Sequence, residues 1–451
     1  MNIVIVGSGT VGSAICKQLI SDGHNITVVD TNADSLAELA NVCDVSCLEG
    51  NGAEVAVLRR AGAQDASLLI AVTPEDELNI LCCAAAKKLG TEHTIARVRN
   101  PEYSELIHLM KSELNLSMTI NPELAAAKEI YRSLRFPSAA KIDTFCRGRV
   151  ELAEFVVPKD SMLCGLSLNE IRSKLNIKFL VCAVLRKDSL YIPSGDFVIN
   201  ADDILSVTSQ SSDITKLFKL IGMYKDPIKN ILIVGGGRTT YYLEEFLRET
   251  KIQSTVIEKD KKLCLDLAED FKCSVVCDSG TNHERLLEDG IDKADAFLAL
   301  SSSDEENAVV SMYAKTKNVS KIITMISAVS YIDFFKSAGL ESIISPKSIT
   351  AAQILHYVRS LANKSGADIE SLHKFMNGRA LALEFIVNDE IEDLTNIPLK
   401  SLKSRKDVLI ACIVRKNEMI IPTGSDEIKL GDTVIVVSGS DLIKNIGDIL
   451  A

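Results

Sequence analysis

Three glycines near the start of the chain have the spacing of a phosphate-binding turn. The run Gly7-Ser-Gly-Thr-Val-Gly12 follows an apolar segment, residues 2–6, that is typical of a buried parallel strand. Gly7 would make the tight turn, Gly9 would let backbone approach a pyrophosphate, and Gly12 would let a helix pack on the strand. The unpaired N–H groups at the start of that helix favour an anion. The candidate cofactor-binding residues here are Gly7, Ser8, Gly9, Thr10, Val11 and Gly12.

An acid stands at the position that a ribose contact requires. Asp30 ends a second apolar strand, residues 26–29, about 20 residues after the glycine turn. Its carboxylate would accept hydrogen bonds from ribose hydroxyls, which suits NAD(H) and disfavours a 2′-phosphate, although ATP and ADP also carry free hydroxyls. The order strand, turn, helix, strand and acid therefore predicts nucleotide binding. The alternative is a nucleotide-free fold that keeps its glycines only for packing.

Further polar residues follow two more predicted strands. Four polar residues come after residues 68–72, at the sheet edge where ligands bind in open α/β folds, namely Thr73, Asp76, Glu77 and Asn79. The competing interpretation is a helix N-cap, with the acids complementing the helix dipole. Arg97 lies in the predicted strand 94–98, where it would be either a phosphate partner or half of a core ion pair.

The whole pattern then repeats. Val6-Gly7 corresponds to Val234-Gly235, and Asp30 corresponds to Glu258, each 228 residues apart. The remaining markers are Asp76, Glu77 and Asn79 with Asp304, Glu305 and Asn307, and, at an offset of 229, Arg186-Lys187 with Arg415-Lys416 and Ile192-Pro193 with Ile421-Pro422. The chain is thus two copies of one unit, joined near residues 224–227.

The second copy differs from the first at its candidate site. Gly235, Gly237 and Glu258 are retained as candidate cofactor-binding residues. The substitutions are Thr240 for Gly12, Met325 for Arg97 and Ser279 for Asn51. A side chain at position 240 should hold helix and strand further apart, and the loss of an arginine removes a cation for phosphate. The first copy is therefore predicted to be the better site.

Alternation of strands and helices predicts an α/β fold with two doubly wound parallel-sheet Rossmann domains. Each is followed by a small α+β domain, where shorter alternating strands surround a turn at Ile192–Gly195. The predicted boundaries are 1–138 and 226–365 for the Rossmann domains, and 139–225 and 366–451 for the small domains.

Composition excludes several classes of protein. The 451 residues carry a net charge of −11, which opposes nucleic acid as a main partner. No apolar run approaches the roughly 20 residues that span a bilayer, and no signal peptide is evident. The twelve cysteines form no CxxC pair, so we expect reduced thiols in a cytosolic protein, with Cys82 and Cys83 in the core. The six histidines form no HxH or HxxxH pair, so no metal site is expected.

Together these segments resemble the TrkA family of Trk-type potassium uptake regulatory proteins over essentially the full length. The matching stretches are Ile3–Gly12, Ile26–Asn32, Ala71–Glu77 with Asn79, Ile95–Arg99 with Pro101–Tyr103, and Asn121–Glu123 leading to Ile130–Arg132. Members of that family have two tandem RCK units, each an RCK-N Rossmann half and a small RCK-C half. The chain departs from many relatives at Thr240 and in the loop Gly50–Gly52.

The resemblance implies a cytoplasmic regulatory subunit, peripheral on the inner face of the cell membrane, that gates an integral membrane potassium transporter or channel subunit. It implies NAD(H) or ATP/ADP as the bound nucleotide, with Asn51 contacting the adenosine. It also implies a homo-oligomer in which four chains close a ring of eight RCK units.

Two other functions use the same fold. An NAD-dependent oxidoreductase needs a substrate domain with a general acid or base, but residues 140–224 and 370–451 contain one histidine, His373, and each segment is small. A redox-sensing repressor needs a basic helix-turn-helix, and none is evident. We therefore expect a regulator and not an enzyme.

Overall fold

The computed structural model describes residues 1–103, 107, 116–135, 141–145, 150–175, 177–224, 226–340, 342–363, 369–376, 379–391, 393–405, 407–416, 418–439, 443 and 445–450. The chain forms two compact units. One combines Met1–Tyr131 with Ile228–Leu355, and the other combines Arg132–Pro227 with His356–Ala451. The predicted boundaries at residues 138 and 225 lie outside the described residues, and the four-domain division stays a prediction.

The first Rossmann sheet has six parallel strands in the order β3-β2-β1-β4-β5-β6. These strands are β1 (Asn2–Val6), β2 (Asn25–Asp30), β3 (Ser46–Glu49), β4 (Leu68–Ala71), β5 (His93–Arg97) and β6 (Met118–Ile120). The described helices between and after them are α1 (Thr10–Ser21), α2 (Ala33–Val42), α3 (Val55–Arg60), α4 (Asp76–Leu89) and α5 (Pro122–Arg135). This confirms the predicted doubly wound sheet.

Burial explains why these segments fold as they do. All four residues of β4 are buried, because the strand lies inside the sheet and both of its faces are covered. Helix α1 buries Val11, Ile15 and Leu19, which recur at helical spacing on one face. The direction in which successive strands are added to the sheet reverses between β1 and β4. The loops after these two strands therefore lead to opposite faces of the sheet, which leaves a crevice between them. That crevice, beyond the carboxyl ends of the strands, is the usual ligand position in such sheets.

The second Rossmann sheet repeats the first, in the order β14-β13-β12-β15-β16-β17. The first small domain lies between the two Rossmann domains along the chain and contains β7 (Lys141–Phe145), β8 (Val150–Val156), α6 (Leu168–Lys174), β9 (Phe179–Arg186), β10 (Ser189–Tyr191), β11 (Ile204–Ser209) and α7 (Ser211–Leu220). The second Rossmann domain contains β12 (Asn230–Val234), α8 (Arg238–Leu247), β13 (Gln253–Glu258), α9 (Lys261–Asp270), β14 (Ser274–Cys277), α10 (His283–Glu288), β15 (Ala296–Ala299), α11 (Asp304–Thr316), β16 (Lys321–Met325), α12 (Ile332–Ser337), β17 (Ser342–Ile344) and α13 (Pro346–Asn363).

Each small domain is built on a five-stranded antiparallel sheet, β10-β9-β11-β8-β7 in the first copy. The second copy has the order β18-β19-β22-β20-β21, with β18 (Ile369–Phe375), β19 (Ala380–Ile386), β20 (Val408–Arg415), β21 (Glu418–Ile420) and β22 (Thr433–Ser438). One buried cluster contains residues of both sheets, among them Leu152, Cys182, Ala382 and Cys412, so the two sheets pack on each other within their unit. Both α+β domains are as predicted, but the sequence reading missed the edge strands β7 and β10.

The repeated Arg-Lys pairs have a structural reason. Arg186 forms an ion pair with the buried Asp203 at 2.8 Å, and Arg415 forms the equivalent pair with Asp432 at 2.7 Å. The lysine that follows each arginine has a positive φ, 55° at Lys187 and 49° at Lys416, in the tight turn of a hairpin. These markers of duplication therefore serve the fold. None of the described helices combines the length and apolar character needed to cross a bilayer.

Candidate nucleotide-binding site

The glycine turn has the three separate geometries that its sequence predicts. Gly7 has φ +109°, which side-chain-bearing residues rarely adopt. A β-carbon on Gly12 would lie 1.9 Å from the Gly7 carbonyl oxygen, so only glycine fits where α1 crosses β1. A β-carbon on Gly9 would meet nothing within 4 Å. Gly9 thus faces open space.

The start of α1 is free to bind an anion. Gly9 is the N-cap residue; no side chain caps the helix there, and its first turn carries no acid. Thr10 is exposed, whereas the side chain of Val11 is buried. Position 11 can therefore contribute only its backbone. The open N–H groups and the positive end of the helix dipole together suit a phosphate.

Asp30 is tied to the turn by Ser8. One carboxylate oxygen accepts hydrogen bonds from the Ser8 backbone N–H at 2.6 Å and from its hydroxyl at 2.7 Å. The other oxygen accepts from the Asn32 N–H at 2.9 Å. Burial alone would raise the pKa of Asp30, but these bonds outweigh it and hold the pKa below its ordinary value. Asp30 is therefore an ionised hydrogen-bond acceptor beside the turn, and the two hydrogen bonds from Ser8 fix its position.

Asn51 lies on the turn that follows β3. The backbone N–H of Gly50 donates to the Asp30 carbonyl at 2.9 Å, which places this turn next to the acid. The Asn51 side chain is exposed, and its oxygen accepts a hydrogen bond from the Ala53 N–H at 2.9 Å. Its oxygen thus stabilises the local turn.

Thr73 is held by a buried amide and does not cap α4. Its N–H and its hydroxyl both donate to Asn79 Oδ1 at 2.8 Å. The Asn79 amide donates back to the carbonyls of Thr73 and Arg97, at 3.0 and 2.9 Å. The N-cap residue of α4 is Glu75, without a side-chain cap, so the N-cap interpretation of Thr73 is wrong. The sequence placed Asn79 beside Thr73 at the predicted ligand edge; its role in joining β4 to β5 depends on the fold.

The acids at the start of α4 have partners in the next loop. Asp76 is buried and accepts from the N–H groups of Arg99 and Asn100, both at 2.8 Å, and it forms an ion pair with the Arg99 side chain. Glu77 accepts a hydrogen bond from Tyr103, which lowers the pKa of the Glu77 carboxyl. Both acids lie in the first helical turn, where they complement the dipole as expected. Their main role is structural.

Arg97 ends β5 and has spare hydrogen-bonding capacity. One terminal nitrogen donates to the Thr73 carbonyl, and its Nε is buried with no partner among the described residues. Burial, together with the charges of Arg99 and Arg238, lowers the pKa of Arg97 to about 10, against the opposing effect of Glu123. No ion pair of Arg97 occurs in the described part of the chain, and Glu123 is the acid with the larger effect on its pKa.

The second copy builds the same turn with different side chains. Gly235 has φ +103°, and a β-carbon on Gly237 would again meet nothing within 4 Å. Glu258 replaces Asp30 and accepts from the Gly236 N–H at 2.6 Å. Thr240 is buried, and its hydroxyl donates to the Gly235 carbonyl at 2.5 Å. The helix start here accommodates a side chain that would collide at Gly12, and the larger separation of helix and strand stays a prediction.

Cationic groups are distributed unequally over the two copies. Met325 takes the place of Arg97, and its sulfur lies 3.9 Å from the Thr239 hydroxyl. Arg238, however, is the first residue of α8 and is exposed, at the position that Thr10 has in α1. Sequence comparison of the copies missed this arginine, although its place directly after Gly237 was visible. It acts electrostatically on Arg97, so it lies near the first site as well.

The two Rossmann domains contact each other within their unit. The hydroxyl of Tyr242, on α8, donates to the Arg99 carbonyl at 2.9 Å and accepts from the Asn121 amide at 2.8 Å. The rings of Tyr131 and Phe246 lie 5.7 Å apart between centroids. Helix α8 of the second copy is thereby attached to the loop that follows β5 of the first.

Comparison with known proteins identifies the family. The TrkA-N domain family matches residues 3–122 and again 231–346, and the TrkA-C domain family matches residues 152–222. Trk system potassium uptake protein TrkA homolog 1 of Methanosarcina mazei is 32% identical over 447 residues, which is 97% of each chain. The TrkA homolog of Archaeoglobus fulgidus is 30% identical over 451 residues, which is 100% of each chain.

Solved structures share the fold at low sequence identity. The GsuK channel bound to NAD is 19% identical with a TM-score of 0.63, over 98% of this chain and 77% of that one. GsuK bound to ADP is 15% identical with a TM-score of 0.53, over 80% of this chain and 69% of that one. The two matches to TrkA-N coincide with the two Rossmann sheets, and the relatives extend over the full length. The chain therefore belongs to the TrkA family of Trk system potassium uptake proteins.

Proposed function

We propose that this chain is the nucleotide-binding regulatory subunit of a potassium-translocating membrane protein, with its principal nucleotide site at Gly7–Gly12. The observation that carries the proposal is the open, uncapped start of α1 at Gly9, directly beside the ionised Asp30. A phosphate and a ribose of one nucleotide need such a pair of neighbouring groups.

The residues present fit NAD(H) or ATP/ADP. Backbone N–H groups from Gly9 to Gly12 would hold phosphate, Asp30 would hold the ribose, and Asn51 would lie on the adenosine side. The unpartnered Nε of Arg97 supports a further anionic group at the end of β5, because a buried donor without an acceptor is costly. Whether the bound nucleotide is ATP or ADP would reflect the energy state of the cell, and whether it is NAD or NADH would reflect the redox state.

Regulation follows if the two Rossmann domains respond together. The attachment of α8 to the Arg99 loop offers a route by which a ligand at the first site would act on the second domain. Suppose that the two Rossmann domains exchange between two relative arrangements. A nucleotide then shifts the balance between them only if its affinity differs between the two arrangements. By analogy with the family and with the GsuK channel, the second arrangement would alter a membrane potassium transporter from its cytoplasmic face.

A calorimetric experiment with matched variants tests the site. Gly9→Ala and Gly237→Ala each add one methyl group facing open space, at backbone angles that alanine accepts, so neither should disturb folding. We expect Gly9→Ala to weaken binding of the preferred nucleotide among NAD, NADH, ATP and ADP by at least about tenfold, the equivalent of 1.4 kcal/mol. Unchanged affinity in Gly9→Ala, with an unchanged unfolding temperature, would contradict the assignment.

Gly237→Ala decides whether the second copy also binds. A reduced stoichiometry, with the first site intact, would assign a nucleotide to Gly235–Gly237 and Glu258. An unchanged stoichiometry would leave the first site alone. Arg238→Ala is a useful companion, because it removes the exposed cation beside both sites without adding bulk.

The proposed assembly is a homotetramer that closes a ring of eight RCK units. Light scattering of the pure chain at micromolar concentration, with and without nucleotide, should give the mass of four chains. A monomer under both conditions would contradict it. The rival function, an NAD-dependent oxidoreductase, predicts turnover when the chain is incubated with NADH and candidate substrates, and such turnover would replace the regulatory proposal.

A further inference from the structure

Two thiols lie on either side of Glu258, the acid of the second turn. Cys264, on α9, donates its S–H to the Glu258 carbonyl at 3.2 Å. The N–H of Asp278 donates to the same oxygen at 3.1 Å, and the residue before it, Cys277, pairs with Glu258 in the parallel ladder of β13 and β14. The two cysteines therefore flank one carbonyl oxygen, Cys264 through its thiol and Cys277 through the strand pairing.

Only the second copy has this pair. The corresponding residues of the first copy, 228 positions earlier, are Leu36 and Glu49. Leu36 is a buried core residue of α2, and Glu49 pairs with Asp30 as Cys277 pairs with Glu258. The fold therefore does not require sulfur at either position, and a core role explains neither the exposed Cys277 nor the convergence of both cysteines on Glu258.

We propose that Cys264 and Cys277 form a reversible disulfide at the edge of the second nucleotide turn. The oxidant is a low-molecular-weight disulfide, and the site is therefore a point at which the thiol redox state of the cell acts on this domain. The pairing needs two sulfurs attached to different elements that converge, and the shared contact with the Glu258 carbonyl supplies that convergence.

The exposures of the two thiols set the order of the steps. Cys277 is exposed, whereas Cys264 is buried and only 8% exposed. Burial, with the Cys277 hydrogen bond, raises the pKa of Cys264 to about 11, so Cys264 is protonated at neutral pH. Cys277 therefore meets the oxidant first, and Cys264 is the resolving thiol.

Both steps are thiol–disulfide exchanges. The Cys277 thiolate attacks one sulfur of the oxidant, forms a mixed disulfide and releases one thiolate. Cys264 then gives up its proton to solvent and attacks the Cys277 sulfur, which releases the second thiolate. In sum, two protein thiols become one disulfide and one small disulfide becomes two small thiols, so electrons and protons balance.

Other pairings are disfavoured by geometry. Cys273 and Cys277 are four residues apart on one extended segment, a separation of about 13 Å at the rise of a strand, which exceeds the reach of a disulfide. In the first copy Cys43 and Cys47 lie near Cys16, and Cys47 is exposed. Cys47 is therefore the matched control thiol.

The disulfide would change the second turn locally. It removes the S–H donor from the Glu258 carbonyl and joins α9 to the end of β14, next to the loop 278–280 that corresponds to Gly50–Gly52 of the first copy. Nucleotide affinity at the second site should then fall severalfold on oxidation. This consequence rests on the proposed nucleotide function, whereas formation of the disulfide does not.

Peptide mapping of the full chain tests the bond. The protein is treated with glutathione disulfide, free thiols are alkylated, and the digest is analysed by mass spectrometry before and after dithiothreitol. We expect a Cys264–Cys277 cross-linked peptide that dithiothreitol removes and that Cys47→Ser leaves unchanged. Cys264→Ser, or Cys264→Ala if serine disturbs the core, should instead retain glutathione on Cys277. Alkylated Cys264 in oxidised wild type, or a cross-link confined to other cysteines, overturns the proposal.

A titration separates the bond from its consequence. Oxidised and reduced Gly9→Ala protein, in which the first site is weakened, is titrated with the nucleotide that wild type binds. Severalfold weaker binding by the oxidised form supports the coupling, and equal affinities overturn the coupling alone. If wild type binds no nucleotide, the coupling fails with the proposed function, and the peptide map still decides the disulfide.

Discussion

The two Rossmann domains of this chain share a scaffold and differ in the groups they offer a ligand. Asn79 and Asn307 are both fully buried and join the same two strand ends, the latter through the Ser301 backbone and the Met325 carbonyl at 2.9 and 3.0 Å. Asp76 and Asp304 each accept from two successive N–H groups of the following loop, at 2.7 to 2.8 Å. These residues persist because both sheets need them.

The residues that differ are those nearest the predicted ligand. Arg97 becomes Met325, Gly12 becomes Thr240, and the cation moves to Arg238 at the start of the helix. The shared fold thus tolerates different residues at the edge of the sheet where the ligand is predicted, because separate buried polar contacts hold the strand ends in place. The comparison teaches which residues serve the sheet and which serve the site.

The largest expected effect tests the shared scaffold. Asn79→Ala leaves the Thr73 N–H and the Arg97 carbonyl without their partner, and Asn307→Ala does the same in the second copy. Unsatisfied buried groups cost about 1–3 kcal/mol each, so each variant should lose about 3 kcal/mol or more of unfolding free energy. Urea titrations measure it. A large loss of unfolding free energy for one variant and none for the other would show that the two asparagines do not have the same role.

An exchange of the third turn residue should cost more stability in the first copy than in the second. Gly12→Thr places a β-carbon where it would lie 1.9 Å from the Gly7 carbonyl, so we expect a loss of about 2–3 kcal/mol of stability and of first-site binding. Thr240→Gly removes one hydrogen bond and some helix propensity, at a cost of about 1 kcal/mol. Equal tolerance of both exchanges, measured by urea unfolding, would show that the turns have the same width.

Asp30→Ala should weaken nucleotide binding by about 1–3 kcal/mol, because a ribose hydroxyl loses its acceptor. Glu258→Ala is the matched variant for the second copy, and calorimetry compares the nucleotide affinities of the two variants.

The pH dependence of stability is a second test of Asp30. Because the folded-state pKa of Asp30 is lowered, its carboxylate stabilises the fold above the ordinary pKa of 3.8, and this contribution is lost as the pH falls through the folded-state pKa. The stability difference between wild type and Asp30→Ala should therefore shrink in acid. A difference that grows below pH 3.8 would reverse the assigned sign.

The smallest effect on stability is expected from Arg97→Met, which copies the second domain into the first. The folded-state pKa of Arg97, about 10, is lower than its ordinary value of 12.5. At any pH below about 10 the charged guanidinium is therefore less stable in the folded state than in the unfolded chain, and it lowers the free energy of unfolding. Removing the charge should leave the unfolding temperature of ligand-free protein unchanged or slightly raised.

The same variant should reduce the preference for ATP over ADP more than it reduces NADH affinity, because a terminal phosphate is the group that a guanidinium would recognise. Binding constants for the three nucleotides decide this. An unchanged ATP-to-ADP affinity ratio would assign Arg97 to the structure of the sheet edge.

Sequence reasoning placed the strands, the glycine turn and Asp30 correctly because each depends on local periodicity and backbone sterics. It left an N-cap role open for Thr73 beside the predicted ligand contact, and the cap is wrong because the Thr73 N–H and hydroxyl both donate to Asn79. It judged the second copy poorer in cations because it compared aligned positions, and Arg238 stands where the first copy has a threonine.

The sequence by itself determined the duplication, the two doubly wound sheets and the family, because hydrophobic period, glycine spacing and a constant offset are properties of the chain alone. Tertiary structure decided which polar residues are free for a ligand. Ser8 and Asn79 are bound to their neighbours, whereas Arg97 retains an unpartnered nitrogen. It also brought Tyr242 to Arg99, and Cys264 and Cys277 to Glu258. Such pairings join residues that are distant along the chain, and only packing of the folded elements brings them within bonding distance.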